Sequence, residues 1–260
     1  QWASAAARHA EDELLFGRAG YLYAVLWVRS YLGPAVADFD TALKQTAERL
    51  VETGKSLAAH RRYAGWPLMW HCFDEPYLGA AHGHVGILAM LIRCGDYLRP
   101  QSWQLVQATF EKLMSIRFRS GNLPIILGER SDDQVHWCHG AAGLTALAAV
   151  ALERQLGDSS VLSGIAESAG EVIWERGVIL KGNGLCHGIA GNGYTFLSLY
   201  RLTGKADYQQ RAAAFAQLLF DADVQQAILQ QPDPQRAVPG VPDSPRSLME
   251  GSAGVVCFLL

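Results

Sequence analysis

Gly140-Ala141-Ala142-Gly143-Leu144-Thr145-Ala146-Leu147-Ala148-Ala149 sets two glycines three residues apart at the head of an apolar run. The same Gly-x-x-Gly pattern recurs at Gly17-Arg18-Ala19-Gly20, Gly83-His84-Val85-Gly86, Gly188-Ile189-Ala190-Gly191 and Gly251-Ser252-Ala253-Gly254. Successive copies start 66, 57, 48 and 63 residues apart, so the unit persists while the loops vary. A period of that size marks a helical repeat protein. Tyr21-Leu22-Tyr23-Ala24-Val25-Leu26 and Tyr194-Thr195-Phe196-Leu197-Ser198-Leu199 follow their glycines as the quoted run does. These runs are apolar nearly all round, as expected of helices covered on both sides.

Amphipathic segments lie between them. Trp103, Val106, Phe110 and Leu113 share a helical stripe, as do Leu162, Ile165, Val172 and Ile173, and Tyr208, Ala212, Phe215 and Leu219. One buried and one amphipathic helix per unit predicts an all-α fold, an α/α toroid with the Gly-x-x-Gly pairs at the inner-helix starts. Residues 123–127 read as a short strand or an extended loop, and the Pro/Asp-rich residues 231–245 as a long loop. Glycine at an inner-helix start permits close backbone approach. It is also expected to leave helix N–H groups free to face a ligand. Plain helix packing accounts for any single copy equally well.

The chain has 260 residues, half of them apolar, and a formal charge of −3. That suits a globular protein with a substantial core and excludes non-specific nucleic-acid binding. No segment has the ~18 uninterrupted apolar residues of a membrane span. The first residue is Gln1 and the last six run Val255-Val256-Cys257-Phe258-Leu259-Leu260 without a cap. Both ends read as cut, with residues 1–260 forming one toroid domain. The cysteines (Cys72, Cys94, Cys138, Cys186 and Cys257) are odd in number and scattered. They fit a reducing, cytoplasmic setting better than a disulfide scaffold.

Three repeat glycines follow reactive side chains, in Ala81-His82-Gly83, Cys138-His139-Gly140 and Cys186-His187-Gly188. Equivalent points of a toroid converge on one end of its cavity. Cys138, Cys186 and His187 would supply two thiolates and an imidazole to zinc, leaving a fourth position open. Two thiolates would leave that site formally neutral. By spacing alone, buried inert cysteines explain the pair as well; their common phase in the repeat favours the metal.

Trp137-Cys138-His139-Gly140, Gly184-Leu185-Cys186-His187-Gly188 and Glu250-Gly251-Ser252-Ala253-Gly254 together resemble the lanthionine synthetase C-like family. So do Asp12-Glu13-Leu14-Leu15-Phe16-Gly17-Arg18-Ala19-Gly20-Tyr21 and Gly79-Ala80-Ala81-His82-Gly83. The resemblance covers nearly the whole chain and implies a seven-repeat toroid, of which about five repeats are present. It implies Cys138, Cys186 and His187 as zinc ligands, His82 as an acid/base and Lys181 as a catalytic lysine. His139 stands where some bacterial members carry a tyrosine. Asp12 or Glu13 corresponds to a family acidic residue.

That likeness implies addition of a thiol to dehydroalanine or dehydrobutyrine residues, with a proton delivered by His82, or secondarily His139. Lys181 would stabilise the enolate or hold a phosphate leaving group during a prior elimination. Lys181 and the segment from Leu14 to Tyr21 resemble the eukaryotic branch, which implies glutathione as thiol donor and dehydroamino-acid-containing proteins as partners. It leaves room for peripheral membrane association. The alternatives are a non-catalytic zinc- and glutathione-binding adaptor and a peptide lanthionine cyclase. A carbohydrate-processing toroid would need paired carboxylates, and only Glu250 is an inner candidate. His84, Cys72, Cys94 and Cys257 read as core or surface residues, and Trp137 as packing beside the site.

Overall fold

The computed structural model describes residues 11–33, 37–231, 242 and 244–260. Among these the ordered segments are helical, with ten α-helices and no named strand. Five begin at the Gly-x-x-Gly pairs: α1 (Arg18–Leu32), α3 (His84–Arg93), α5 (Ala141–Glu153), α7 (Ile189–Thr203) and α10 (Ser252–Leu259). The others are α2 (Ala37–Ala58), α4 (Pro100–Met114), α6 (Ser159–Arg176), α8 (Ala206–Leu218) and α9 (Ala222–Gln230). The glycine-headed helices pack in succession, α1 on α3, α3 on α5, α5 on α7 and α7 on α10. Behind them stand α2, α4, α6 and α8, each against its own inner helix. This is the α/α toroid arrangement the repeat predicts.

Burial follows the sequence pattern. In α5 the covered residues go round the helix, from Ala141 and Leu144 to Thr145, Leu147, Ala148 and Val150. In α6 one stripe is covered, including Leu162, Ile165, Val172 and Ile173. Leu219 falls one residue beyond α8 and is still buried. Between α2 and α4, the Glu48 carboxylate accepts from the Arg99 amide (2.6 Å) and the Ser102 hydroxyl (2.7 Å). Helices α2 and α9 go beyond the periodic segments picked out from sequence.

The glycines serve packing. The first of each pair is the N-cap, and the second is the third helical residue. A Cβ on Gly20, Gly86, Gly143, Gly191 or Gly254 would strike the carbonyl oxygen six residues upstream, on Leu14, Ala80, Trp137, Leu185 or Leu248. The loop before each inner helix folds back over the helix start. Its carbonyls then take the helix N–H groups that ordinarily lack partners. Arg18 donates to Glu11 (2.9 Å), Val85 to Leu78 (3.0 Å), Ile189 to Gly182 (3.1 Å) and Ser252 to Pro245 (2.9 Å), all seven residues back. The expectation that these groups stand free for a ligand is therefore wrong for α1, α3, α7 and α10. The close approach that demands glycine also satisfies the amides.

Residues 123–127 form an extended loop rather than a strand. Ile126 bridges Tyr77, Leu78 donates to Ile125 (2.8 Å), and Leu127 donates to Pro76 (3.0 Å). Most of the loop expected at 231–245 lies outside the described residues. No helix among those described is long and apolar enough to cross a membrane.

Candidate metal and thiol-chemistry site

The positions two before each first glycine are Leu15, Ala81, Cys138, Cys186 and Met249, and they gather into one small cluster. Backbone hydrogen bonds link the repeats there. Leu14 donates to Ala81 (3.1 Å), Ala81 to Cys138 (3.4 Å), Cys138 to Cys186 (3.1 Å) and Cys186 to Met249 (2.8 Å). The next positions carry Phe16, His82, His139, His187 and Glu250. The main chain thus brings cysteines 48 residues apart into register.

The ligand atoms of Cys138, Cys186 and His187 all lie within 4.8 Å of one another. Both cysteines are buried and His187 is half-buried. The hydrogen bond from Cys138 holds the Cys186 thiol below its ordinary range, aided by His187. The same bond, with burial, drives Cys138 far above it. Two cysteine sulfurs beside an imidazole are a donor set for a soft or borderline metal. The other cysteines differ. Burial pushes Cys72 up to about 11 and Cys94 up to about 12, which makes them inert, and Cys257 is exposed.

His82 and His139 stand next to each other, with ring centroids 6.1 Å apart. Nδ1 of His82 is hydrogen-bonded to Oε2 of Glu13 at 2.9 Å. Glu13 is fully buried, and its carboxylate also accepts from the amides of Leu15 (2.9 Å) and Phe16. Burial opposes the charge, but the His82 bond and the two amides outweigh it and hold the carboxyl below its ordinary range. Glu13 faces the site, whereas Asp12 is paired with Arg18 at 2.5 Å. Glu13 is also an inner carboxylate besides Glu250, but its commitment to His82 and two amides takes it out of any carboxylate pair.

Burial, reinforced by the charges of His82, Lys181 and His187, holds His139 down at about 4, so it is neutral at pH 7. Its buried Nδ1 has no hydrogen-bond partner. Lys181 is exposed, and its charge reaches Cys138, His136 and His139. Trp137 packs on the cysteine cluster, as expected. His84 is a core residue between Trp66 and Trp70, with Nδ1 bonded to the Tyr77 carbonyl at 3.0 Å.

Two neighbours escaped the sequence reading. Tyr77 lies 6.1 Å from His82 and 5.4 Å from His139, ring to ring. His136 is buried 6.1 Å from His187. Neither stands at the repeat phase that singled out the others. Beside the cluster opens a cavity of about 730 Å³, lined by Trp137, Met249 and inner-helix residues such as Tyr21, Tyr194 and Ser198.

The chain has relatives among known proteins. The chain is 35% identical over 250 residues to the zebrafish (Danio rerio) protein named glutathione S-transferase LANCL1, covering 95% of this chain and 58% of that protein. It is 35% identical over 252 residues to the LanC-like protein GCL1 of Arabidopsis thaliana, covering 95% and 54%. The chain thus spans little more than half the length of these relatives. Nisin cyclase has the same fold, with a TM-score of 0.55 at 13% identity, over 96% of this chain and 75% of that one. The family model described as lanthionine synthetase C-like protein matches residues 3–260. With the toroid, the repeat glycines and the cysteine–histidine cluster, that match over nearly the full length means that the chain belongs to the lanthionine synthetase C-like family.

Proposed function

We propose that Cys138, Cys186 and His187 hold one zinc ion and that the chain adds the thiol of glutathione, or a cysteine thiol, to dehydroalanine or dehydrobutyrine residues to form a thioether. The observation that carries this reading is the convergence of those three ligand atoms within 4.8 Å, with His82 on the adjoining repeat. The name of the zebrafish relative supports glutathione as the thiol donor. Zinc, when bound, would keep an incoming thiol ionised at neutral pH.

The chain's own residues manage the proton and the developing charge. As the sulfur bonds to the β-carbon, the carbon–carbon double bond opens and an enolate forms. His82 delivers a proton to the α-carbon. Glu13 fixes His82 through Nδ1, leaves Nε2 to carry that proton, and stabilises the imidazolium. Lys181 offsets the enolate charge, and neutral His139 offers an N–H. Five free cysteines, Cys138 and Cys186 among them, suit a reducing compartment, so we place the reaction in the cytoplasm.

The test is elemental analysis of the protein and of its Cys138→Ala and Cys186→Ala variants, with a thioether assay on a dehydroalanine peptide plus glutathione. One zinc per chain, lost in both variants along with thioether formation, is expected. Zinc retained in both, or none in the parent, would refute the metal assignment. Zinc and glutathione binding without any turnover would leave an adaptor instead.

A further inference from the structure

Two phenyl rings stand in solvent beside His82. Phe16 stacks on the imidazole, with centroids 6.4 Å apart and planes 18° from parallel, and Phe73 meets it edge-on at 5.7 Å. They are 76% and 69% exposed, so packing within this chain does not explain them. Phe16 occupies the ring position that holds His82, His139, His187 and Glu250 in the other repeats.

Phe73 is held there against its own backbone preference. Cys72 and Glu75 exchange both of their hydrogen bonds at 3.0 Å, closing a two-residue turn. Its central residues, Phe73 and Asp74, have φ of +50° and +62°. Such turns ordinarily take Asn, Asp or Gly, and a bulky side chain in this region is strained. Strain of this kind clusters at ligand clamps. Tyr77 adds a third ring, beside both His82 and His139.

We propose that Phe16 and Phe73 form the acceptor subsite, where the flat, conjugated dehydroamide lies against the phenyl rings with its α-carbon at His82. This rests on the thiol-addition reading above. A dehydroalanine residue is planar through its double bond and carbonyl, so it presents a π-face to an aromatic ring. Alanine or serine has a tetrahedral α-carbon and cannot lie flat. Glutathione carries carboxylates and an ammonium group, which suit Lys181 and the cysteine cluster better than two phenyl rings. The pair therefore selects the acceptor and leaves the thiol donor to the other side of the site.

Binding without thiol isolates this step, because no reaction follows. Fluorescence anisotropy would compare a labelled dehydroalanine peptide with its alanine counterpart on the zinc-loaded protein, in wild type, Phe73→Asn, Phe73→Tyr and Phe16→Ala. The wild type should prefer the dehydroalanine peptide. Phe73→Asn and Phe16→Ala should each weaken that binding about threefold to tenfold, while Phe73→Tyr retains it and glutathione affinity stays unchanged. Asn suits the left-handed turn, so Phe73→Asn should melt no lower than wild type, separating lost binding from lost folding. Wild-type preference that survives in both Phe73→Asn and Phe16→Ala would overturn the subsite and leave thiol addition standing. Equal loss of glutathione affinity would overturn its assignment to the acceptor. A wild type that binds both peptides alike would overturn it together with the acceptor half of the thiol-addition reading.

Discussion

Replacing Gly191 by alanine should destabilise the protein, although the same change normally strengthens a helix. Alanine gains about 1 kcal/mol over glycine in a helix interior. Gly164, exposed in α6 with nothing within 4 Å of an added Cβ, should show that gain. At Gly191 the Cβ would run into the carbonyl group of Leu185, which is backbone and cannot rotate away. Overpacking costs about 1–3 kcal/mol or more, and separating the loop from α7 also strains the bond from Gly191 N–H to the Gly184 carbonyl (3.2 Å), worth about 1 kcal/mol. The net expectation is a loss of about 1–3 kcal/mol. A domain of this size shifts by about 2–4 °C per kcal/mol. Thermal melts should therefore rise by about 2–4 °C for Gly164→Ala and fall by at least about 2 °C for Gly191→Ala. Leu185 precedes Cys186, so zinc affinity should drop in the second variant and hold in the first. A Gly191→Ala protein that melts at or above wild type would refute the packing argument.

His84 is fully buried, and burial holds it down at about 4, so the unfolded chain binds a proton near 6.5 that the folded chain refuses. Its contribution to stability is complete above pH 6.5 and is lost as pH falls from 6.5 to about 4, a loss of about 3 kcal/mol. Urea titrations at pH 7 and 4.5 should show that dependence reduced in His84→Gln, and parallel pH curves would contradict it. On the proposed thiol addition, Glu13→Gln should leave zinc content unchanged yet lose about 10–100-fold in turnover, as when a hydrogen-bond partner behind a functional histidine is removed; unchanged turnover would show that His82 needs no such anchor. Lys181→Met should cost about 100–1,000-fold in single-turnover rate with zinc content intact, and no loss would favour the adaptor reading.

The helical units were legible because two signals coincided in each, the glycine pair and the apolar run behind it. The common phase of Cys138 and Cys186 pointed to their convergence for the same reason. The fold-back of each preceding loop was not legible. It is made by carbonyl groups, which every residue has, so no side-chain pattern announces it, and the free amides expected at the helix starts proved to be used. Glu13 and His82 are 69 residues apart, and composition could not choose between Glu13 and Asp12. The turn at Phe73 hid behind a residue that turn statistics argue against. Tyr77 and His136 reach the site from loops whose lengths differ between repeats.

The hydrogen-bonded belt from Leu14 through Ala81, Cys138 and Cys186 to Met249 separates scaffold from chemistry. Its links are peptide groups, so it is indifferent to the side chains it carries. Alanine, cysteine and methionine occupy equivalent positions along it, and at the first repeat the link passes to Leu14, where the amide of Leu15 donates to Glu13 instead. Such a belt works as a type-bar on which individual letters can be exchanged. A new metal donor or proton carrier can arise at one repeat by a single codon change, already aimed at its neighbours. Diversification within this architecture can therefore proceed position by position, with no need to invent a new loop for each new reaction.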